Sequence, residues 1–415
     1  MTSLSGRRRR NTILALAAGV VAAVLAPTLL YVGAKAITNS KAGINALADR
    51  PPEQTFPATP TGMLATVDAA NELTSVTVFV LAPDADVTAA GYDQRGGSVI
   101  AVPINVDSGS GDQLLSLHDA YALGGEEELR SDLESAINLT LDSSKVMTAD
   151  EFAAFLTGLP ALQVDFPRDV LGSDGAVLYP KGPTVLTAAQ AAQVITSNSP
   201  NETEKLRQPN IDALWSAITA AVGTGRAGQN LSAATPADFD ELAARVTAGS
   251  VASRGLVARP LAADRNPEGL DVEELDRPDT ILVFASIAPA QMTRPAGGLS
   301  YRIEAPPGYD QQVRKTIDTL LSFGNNVVSV DLGAEPQEQT TYFIYDPAAA
   351  AAEPTENAVF GTIKVETPEV ALSGVDVTIA LGTTYLDGVD LSAPDATTST
   401  STSVLDSVEP IETTA

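Results

Sequence analysis

The stretch Tyr179-Pro-Lys-Gly-Pro-Thr-Val-Leu-Thr-Ala-Ala-Gln-Ala-Ala-Gln-Val-Ile-Thr-Ser-Asn, continued at 201–208 by Asn-Glu-Thr-Glu-Lys-Leu-Arg-Gln, decides how the chain is interpreted. Apolar residues recur at helical spacing through Thr187 to Ile195, after a β-branched segment. Between residues 201 and 208 only Lys205 and Arg207 are cationic. The stretch therefore has the layout of a phosphate-handling site within an α/β layer but lacks nearly all the positive charge that such a site would use.

Alternating strands and helices extend from this stretch in both directions. Two β-branched runs, Thr74–Leu81 and Ser98–Val106, are expected to pair as a hairpin, with Gly96-Gly97 just before the second run supplying the turn. Other segments with strand or helix patterns are 114–123, 126–139, 164–166 and 211–222. We expect one α/β domain over residues 73–290, with strands and helices in separate layers.

A second, smaller α/β domain is predicted over residues 299–388. Its patterns form two β-α-β halves, with the first helix stopped by Gly324. The predicted strands are 299–304, 326–332, 340–345, 361–366 and 375–381, and the predicted helices are 310–323 and 348–360.

The N-terminus predicts export and membrane anchoring. Arg7–Arg10 precede a stretch, Thr12 to Val32, without charged side chains. At 1.5 Å per residue this stretch reaches about 31 Å, which matches a bilayer core. We expect residues 1–11 in the cytoplasm and 12–36 as one transmembrane helix, with the bulk of the chain extracytoplasmic. A cleaved signal peptide is the alternative.

Two further segments are expected to lack a packed core. Residues 38–72 are rich in Pro, Ala and Thr, which predicts a stalk. Residues 389–415 are acidic and rich in Ser and Thr, which predicts a disordered tail.

Composition excludes several classes of function. Removing residues 1–37 takes away five of the 25 cationic residues and none of the 52 acidic ones, so the remainder carries a formal charge of −32. Such a charge opposes nucleic-acid binding. The chain has no cysteine and a single histidine, His118, so neither a disulfide framework nor a His-based zinc site or Ser-His-Asp triad can be assembled.

Several motifs, in order, resemble those of the LytR-CpsA-Psr family. The first four are the strand at 99–107, His118-Asp-Ala-Tyr-Ala-Leu-Gly-Gly, the segment from Glu151 to Pro167, and Tyr179 to Ile195. In the second domain Thr340-Thr-Tyr-Phe-Ile-Tyr, Glu356-Asn-Ala-Val-Phe-Gly and 376–385 resemble the LytR C-terminal domain. The resemblance covers residues 65–388 and implies an α/β/α sandwich followed by a small α/β domain.

Members of that family transfer a glycopolymer from a polyprenyl pyrophosphate carrier to peptidoglycan, and the resemblance implies arginines and a carboxylate-held Mg²⁺ at the site. This chain departs from that pattern. Ile104 and Asn105 stand where an arginine and an aspartate are expected, and Ser75 is close to the place of a metal-binding aspartate. Residues 195–197 replace a pair of arginines, and Glu204 stands where another arginine is expected.

The remaining candidates for binding a pyrophosphate are Lys205, Arg207 and Gln208. Arg207 has an alternative interpretation, since Glu204 precedes it by three residues and could pair with it on one helix face. No catalytic residue and no metal ligand is assigned. Asp107 and Asp112 lie in a Gly-Ser segment that is typical of a solvated turn.

Three functional hypotheses follow. The first is a membrane-anchored envelope protein that keeps the family fold without its transferase activity, and that contacts a lipid carrier of wall glycopolymer or another envelope protein. The second is an active phosphotransferase, using Mg²⁺, whose cations are Arg207, Arg168 and Lys181. The third is a structural spacer without a ligand. The first needs no cofactor.

Overall fold

The computed structural model describes residues 35, 52–83, 96–108, 114–200, 202–225, 235–293, 297–345, 359–366 and 368–392. The chain divides into two units, one made of residues 1–54 and 368–371 and the other of 55–367 and 372–415. In the first unit the Ala371 amide donates a hydrogen bond to the Pro52 carbonyl, at 2.9 Å. The predicted membrane span, 12–36, lies outside the described residues apart from Lys35, and no helix within the described part is long and apolar enough to cross a membrane.

The first domain comprises residues 55–293. Its strands, with β1 of the other unit counted first, are β1 Glu53–Gln54, β2 Thr61–Val67, β3 Leu73–Leu81, β4 Gly97–Val102, β5 Ser143–Met147, β6 Leu162–Phe166, β7 Val170–Leu171, β8 Val177–Tyr179, β9 Gly182–Leu186, β10 Val251–Gly255, β11 Ala258–Pro260 and β12 Glu273–Leu275. Its helices are α1 Leu117–Ile137, α2 Ala149–Phe155, α3 Ala188–Thr196, α4 Glu204–Val222, α5 Phe239–Val246 and α6 Arg277–Ile287, with a 3-10 turn at Pro289–Gln291.

A five-stranded sheet in the order β10-β4-β3-β2-β5 forms the middle layer. The predicted hairpin is present, because β3 pairs antiparallel with β4, and β2 completes the antiparallel centre. Alternate residues of β3 point to opposite faces: Phe79 packs with helices α2 to α5, whereas Val78 packs with α1 and α6. The expected α/β/α layering of this domain is therefore observed.

The stalk prediction for 38–72 is wrong at Thr61–Val67, which forms β2 between β3 and β5. Every residue of this strand is buried. A strand covered on both faces has no polar alternation, and the preceding prolines hid its start. The two helices predicted at 114–123 and 126–139 form one element, α1, interrupted at Gly125, whose φ of 68° is not helical.

The C-terminal domain comprises the described residues 297–345, 359–366 and 372–392. Its elements are β13 Ser300–Glu304, α7 Asp310–Ser322, β14 Asn326–Asp331, β15 Thr341–Ile344, β16 Lys364–Glu366, β17 Ala371–Leu372, which begins in the other unit, β18 Val377–Ala380 and α8 Thr383–Gly388. The five-stranded order is β14-β13-β18-β15-β16.

The predicted β-α-β halves are partly visible in this sheet. Strands β13 and β14 run parallel with α7 between them in sequence, which makes the first half. Strands β15 and β16 are also parallel, as a second half requires. The helix predicted there, at 348–360, lies outside the described residues except for its last two, and so does the predicted tail beyond residue 392.

Candidate functional site

The residues predicted to bind pyrophosphate lie in the first two turns of α4. The helix begins beside the segment that follows β4, where the Ile104 amide lies 3.5 Å from a Glu204 carboxylate oxygen. The helix-start residue Thr203 makes no side-chain cap, and the Asp271 carboxylate instead accepts from the Glu204 amide at 3.4 Å. A carboxylate at the N-terminus of a helix interacts favourably with the helix dipole, and Asp271 occupies the position that an anionic ligand would take.

Arg207 is buried, with 4% of its surface exposed. Its Nε donates to the Ser197 carbonyl and its Nη2 to the Ile195 carbonyl, both at 2.9 Å, and its Nη1 lies 3.1 Å from a Glu204 carboxylate oxygen. The two carbonyls belong to the C-terminal end of α3, whose last acceptors lack partners within the helix. All three nitrogens of the guanidinium are therefore bonded to groups of the protein itself. The predicted pairing of Arg207 with Glu204 is confirmed.

The Gln208 side chain also forms a hydrogen bond within α4. Its Nε2 donates to Asp212 Oδ1 at 3.0 Å, one helical turn further on. The pKa of Asp212 is raised from 3.8 to about 6, mainly by burial; the Gln208 hydrogen bond opposes this rise and the charge of Glu204 adds to it. A Cβ added at Gly255 of β10 would lie 2.5 Å from the Asp212 carboxylate oxygens, so this glycine makes room for the carboxylate.

Lys205 is exposed and is surrounded by carboxylates. Burial raises the pKa of the neighbouring Glu273, and the charges of Asp271 and Glu204 add to this rise, whereas Lys205 and an Asn105 hydrogen bond lower it. Three acidic residues, Glu204, Asp271 and Glu273, therefore form an acidic corner at the start of α4 with two cations, the exposed Lys205 and the buried Arg207. The corner is anionic, which is the wrong sign for a polyphosphate.

The side chains at three other positions where the sequence departs from the family pack or form hydrogen bonds within the domain. Ile104 is buried in the core between the sheet and α1. Asn105 donates to Asp271 through its amide nitrogen at 3.3 Å. Ser75 is buried, with its hydroxyl 2.7 Å from that of Thr66.

Of the two aspartates considered for a metal, the structure describes one. Asp107 lies 3.4 Å from an Arg265 guanidinium nitrogen and accepts from the Leu115 amide at 3.4 Å, and Asp112 lies outside the described residues. Within those residues, no group of three or more His, Asp or Glu side chains is placed to hold a metal ion. The described residues therefore contain no carboxylate cluster that could coordinate a Mg²⁺ ion.

Arg168 and Lys181, the cations of the transferase hypothesis, are both exposed and lie on either side of the β7–β8 hairpin. The Lys181 amide donates to the Asp169 side chain at 2.7 Å, and the Asn210 side chain of α4 accepts from the Arg168 amide at 3.3 Å. Burial raises the pKa of Glu202, which Arg207 and Arg168 both lower. These cations are near α4 but are not gathered around one phosphate-sized point by any contact that is observed.

A groove of about 730 Å³ opens beside the C-terminal end of α3. It is bounded by the β2–β3 turn, the start of α2 and the β7–β8 hairpin, and Ser197, which accepts from Arg207, lies in its wall. Asp68, Asp150 and Asp174 line it, and no lysine or arginine is among the lining residues. A pyrophosphate placed in this groove would meet carboxylates and no cation.

No protein-family model matches the sequence, and none of the curated proteins does. Solved structures are similar to it. Bacillus subtilis TagT matches with 16% identity and a TM-score of 0.38, over 57% of this chain and 94% of that one. The fold is similar to that of LytR-CpsA-Psr proteins.

Two other solved structures belong to the same comparison. A LytR-Csp2A-Psr enzyme from Actinomyces oris matches with 15% identity and a TM-score of 0.35, over 51% of this chain and 89% of that one. TagT bound to LIIa-WTA matches with 17% identity and a TM-score of 0.38, over 55% and 88% of the two chains. The likeness concerns the fold alone and assigns no activity to this chain.

Three acidic residues in or beside α4 were not predicted from the sequence. Asp212, Asp271 and Glu273 carry no motif, and Asp271 meets Asn105 from 166 residues away. The only sequence feature associated with them is Gly255, which makes room for the Asp212 carboxylate. That role is apparent only once α4 is seen to pack against β10. The sequence pattern thus identified the position of the corner but not its charge.

Asp212→Asn should change how stability depends on pH in this LytR-CpsA-Psr-like domain. Because the folded pKa of about 6 exceeds the ordinary 3.8, the contribution of this group to folding is complete below pH 3.8 and is lost as the pH rises through 6. We expect the variant to be about 1–2 kcal/mol more stable than the wild type at pH 8 and equal to it near pH 4, by urea unfolding.

Asp165→Asn, an exposed position on β6, is the matched control and should shift stability equally at both pH values. A constant difference between Asp212→Asn and the wild type from pH 4 to pH 8 would contradict the assignment.

Proposed function

We propose that this chain is a non-catalytic, membrane-anchored protein of the cell envelope, with a LytR-CpsA-Psr-like domain that acts as an accessory or binding component in wall-polymer assembly. The observation that supports it most is the guanidinium of Arg207, whose three nitrogens are bound to two backbone carbonyls and to Glu204. The arginine that best matches the family motif is a structural residue here.

Charge stabilisation is the main requirement for transferring a phosphoryl-linked group. Negative charge shifts onto bridging and leaving oxygens in the transition state, and cations must already be aimed at them. Each charge-assisted contact contributes about 1.5–3 kcal/mol, and about 1.4 kcal/mol corresponds to a tenfold change in rate. At the start of α4 the carboxylates Glu204, Asp271 and Glu273 outnumber the cations Lys205 and Arg207, and Arg207 is paired with Glu204, so the stabilisation that transfer requires is missing there.

The sequence supports the remaining parts of the proposal. The basic and apolar N-terminus favours a single-pass anchor with the bulk of the chain outside the cytoplasm. The net charge of the chain, −27, opposes nucleic acid as a partner. Partners that fit are the membrane, a lipid carrier of wall glycopolymer, or another envelope protein, and no cofactor is required.

A transfer assay tests the proposal. Purified full-length chain would be incubated with Mg²⁺, peptidoglycan and a labelled glycan on polyprenyl pyrophosphate. We expect no more label on peptidoglycan than with heat-denatured chain. Transfer that is lost in Arg168→Ala or Lys181→Ala would establish the rival phosphotransferase, because both side chains are exposed and their removal should leave the fold intact.

A further inference from the structure

The two domains share one helix. On α6, Val283 and Phe284 pack in the first domain's core against the sheet. Ile281, Leu282 and Ala285 of the same helix pack in the core of the C-terminal domain. The predicted boundary at residue 290 therefore separates sequence segments but not cores, and α6 belongs to both.

Asp276, the residue immediately before α6, forms ion pairs with arginines from both domains. Asp276 is 5% exposed and accepts from the Asp279 amide as the helix cap. Arg314 of α7, in the C-terminal domain, places Nη2 2.8 Å and 2.5 Å from its two carboxylate oxygens. Arg259 of β11 pairs with the same carboxylate from the other side. A buried carboxylate with this geometry is costly to leave unpaired.

The chain that runs into Asp276 also forms the acidic corner. The Asp276 amide donates to the Val257 carbonyl at 2.8 Å, which closes the β11–β12 hairpin. Glu273 donates its amide to the Asn105 carbonyl at 3.0 Å and accepts from the Asp107 amide at 2.8 Å. Six residues, 271–276, thus extend from the α4 cap to the contact with Arg314.

We propose that Arg314 is a positioning residue through which the C-terminal domain holds the segment 271–276 against the start of α4, so that both domains build the corner. This inference does not depend on whether the corner binds a ligand. Without the Arg314 contact, Asp276 keeps one arginine, and the hairpin and the Asp271 cap lose their anchor on the C-terminal domain. The competing explanation is that the apolar packing of α6 alone fixes the segment.

Hydrogen exchange of the full-length chain distinguishes these explanations. In Arg314→Ala we expect amide exchange in 271–276 and in the first turn of α4 to rise by about tenfold or more, with β13 and β14 unchanged. Arg302→Ala is the matched control, because Arg302 pairs with Glu304 and Asp331 inside the C-terminal domain and should leave 271–276 unchanged.

A second measurement separates positioning from a loss of stability. The raised pKa of Glu273 depends on its burial, so it should move towards the ordinary value in Arg314→Ala and stay raised in Arg302→Ala. If Arg314→Ala does not fold, Arg314→Lys should show the same local changes at smaller size. Exchange in 271–276 and a Glu273 pKa that match the wild type would overturn the proposal, as would equal exchange increases throughout the C-terminal domain.

Discussion

Replacing Arg207 with alanine should destabilise the full-length protein by about 3–5 kcal/mol, because a buried carboxylate loses its partner. The Glu204 side chain is buried and faces the guanidinium at 3.1 Å. The carbonyls of Ile195 and Ser197 would also lose their donor, and unsatisfied buried acceptors add to the loss. Urea unfolding followed by circular dichroism measures the change in the free energy of unfolding.

Arg130→Ala is the matched control for that experiment. Arg130 pairs with Glu134 on α1 at 3.4 Å, with its side chain 40% exposed, so its loss should cost less than about 1 kcal/mol. The double variant Glu204→Gln with Arg207→Met should recover part of the stability, since no buried charge remains unpaired. An Arg207→Ala protein as stable as the wild type would show that the guanidinium is available for a ligand.

Replacing Trp215 with alanine should cost about 3–5 kcal/mol, as expected for a large side chain removed from a core. Trp215 is 2% exposed and meets Phe79 and Phe152 edge-to-face, with ring centroids 5.7 Å and 5.9 Å apart. It lies where four helices pack on the sheet, so the cavity cannot close by moving one side chain. Because the chain has one tryptophan, unfolding must be followed by circular dichroism.

Trp215→Phe provides the comparison. The indole N–H has no hydrogen-bond partner among the described residues, so removing it should leave no acceptor unsatisfied. We expect this variant to lose less than about 1.5 kcal/mol. A loss of less than about 1 kcal/mol for Trp215→Ala would indicate the wall of an open pocket instead of a close-packed core.

Strands with strong β-branched character were predictable because their patterns are local. Thr74–Leu81 and Ser98–Val106 were expected to pair, and β3 pairs with β4. In the C-terminal domain the order strand, helix, strand around 310–323 required only apolar spacing and a glycine stop, and α7 lies there. Local chemistry decides these elements, so single-sequence reasoning suffices.

Strand β2 shows where such reasoning fails. Its sequence, Thr-Gly-Met-Leu-Ala-Thr-Val, contains a glycine and no alternation, and it follows a segment with four prolines. Tertiary pairing with β3 and β5 supplies the order that the local pattern does not indicate. Gly62 also fits its place, since an added Cβ would lie 2.6 Å from Leu242 of α5.

In the candidate site, too, contacts between neighbours in sequence were predictable and contacts between distant segments were not. The pairing of Arg207 with Glu204 follows from a spacing of three on a helix, and it was predicted. The acidic corner was not, because Asn105, Glu204 and Asp271 come from three distant segments that only the fold brings together. The loss of the arginines was visible in the sequence, whereas the gathering of Asp271 and Glu273 beside Glu204 was not.

The central claim is that Arg207 and the carboxylates at the start of α4 do not form a pyrophosphate site, so that any lipid carrier would be bound by its other parts, and equilibrium binding tests it most directly. Full-length chain in detergent micelles would be titrated with a long-chain polyprenyl pyrophosphate and with the matching polyprenol. We predict that the two dissociation constants differ by less than about tenfold, because not even one charge-assisted contact is gained. A preference for the pyrophosphate of about a hundredfold or more that disappears when Arg168 and Lys181 are replaced by alanine would contradict the claim.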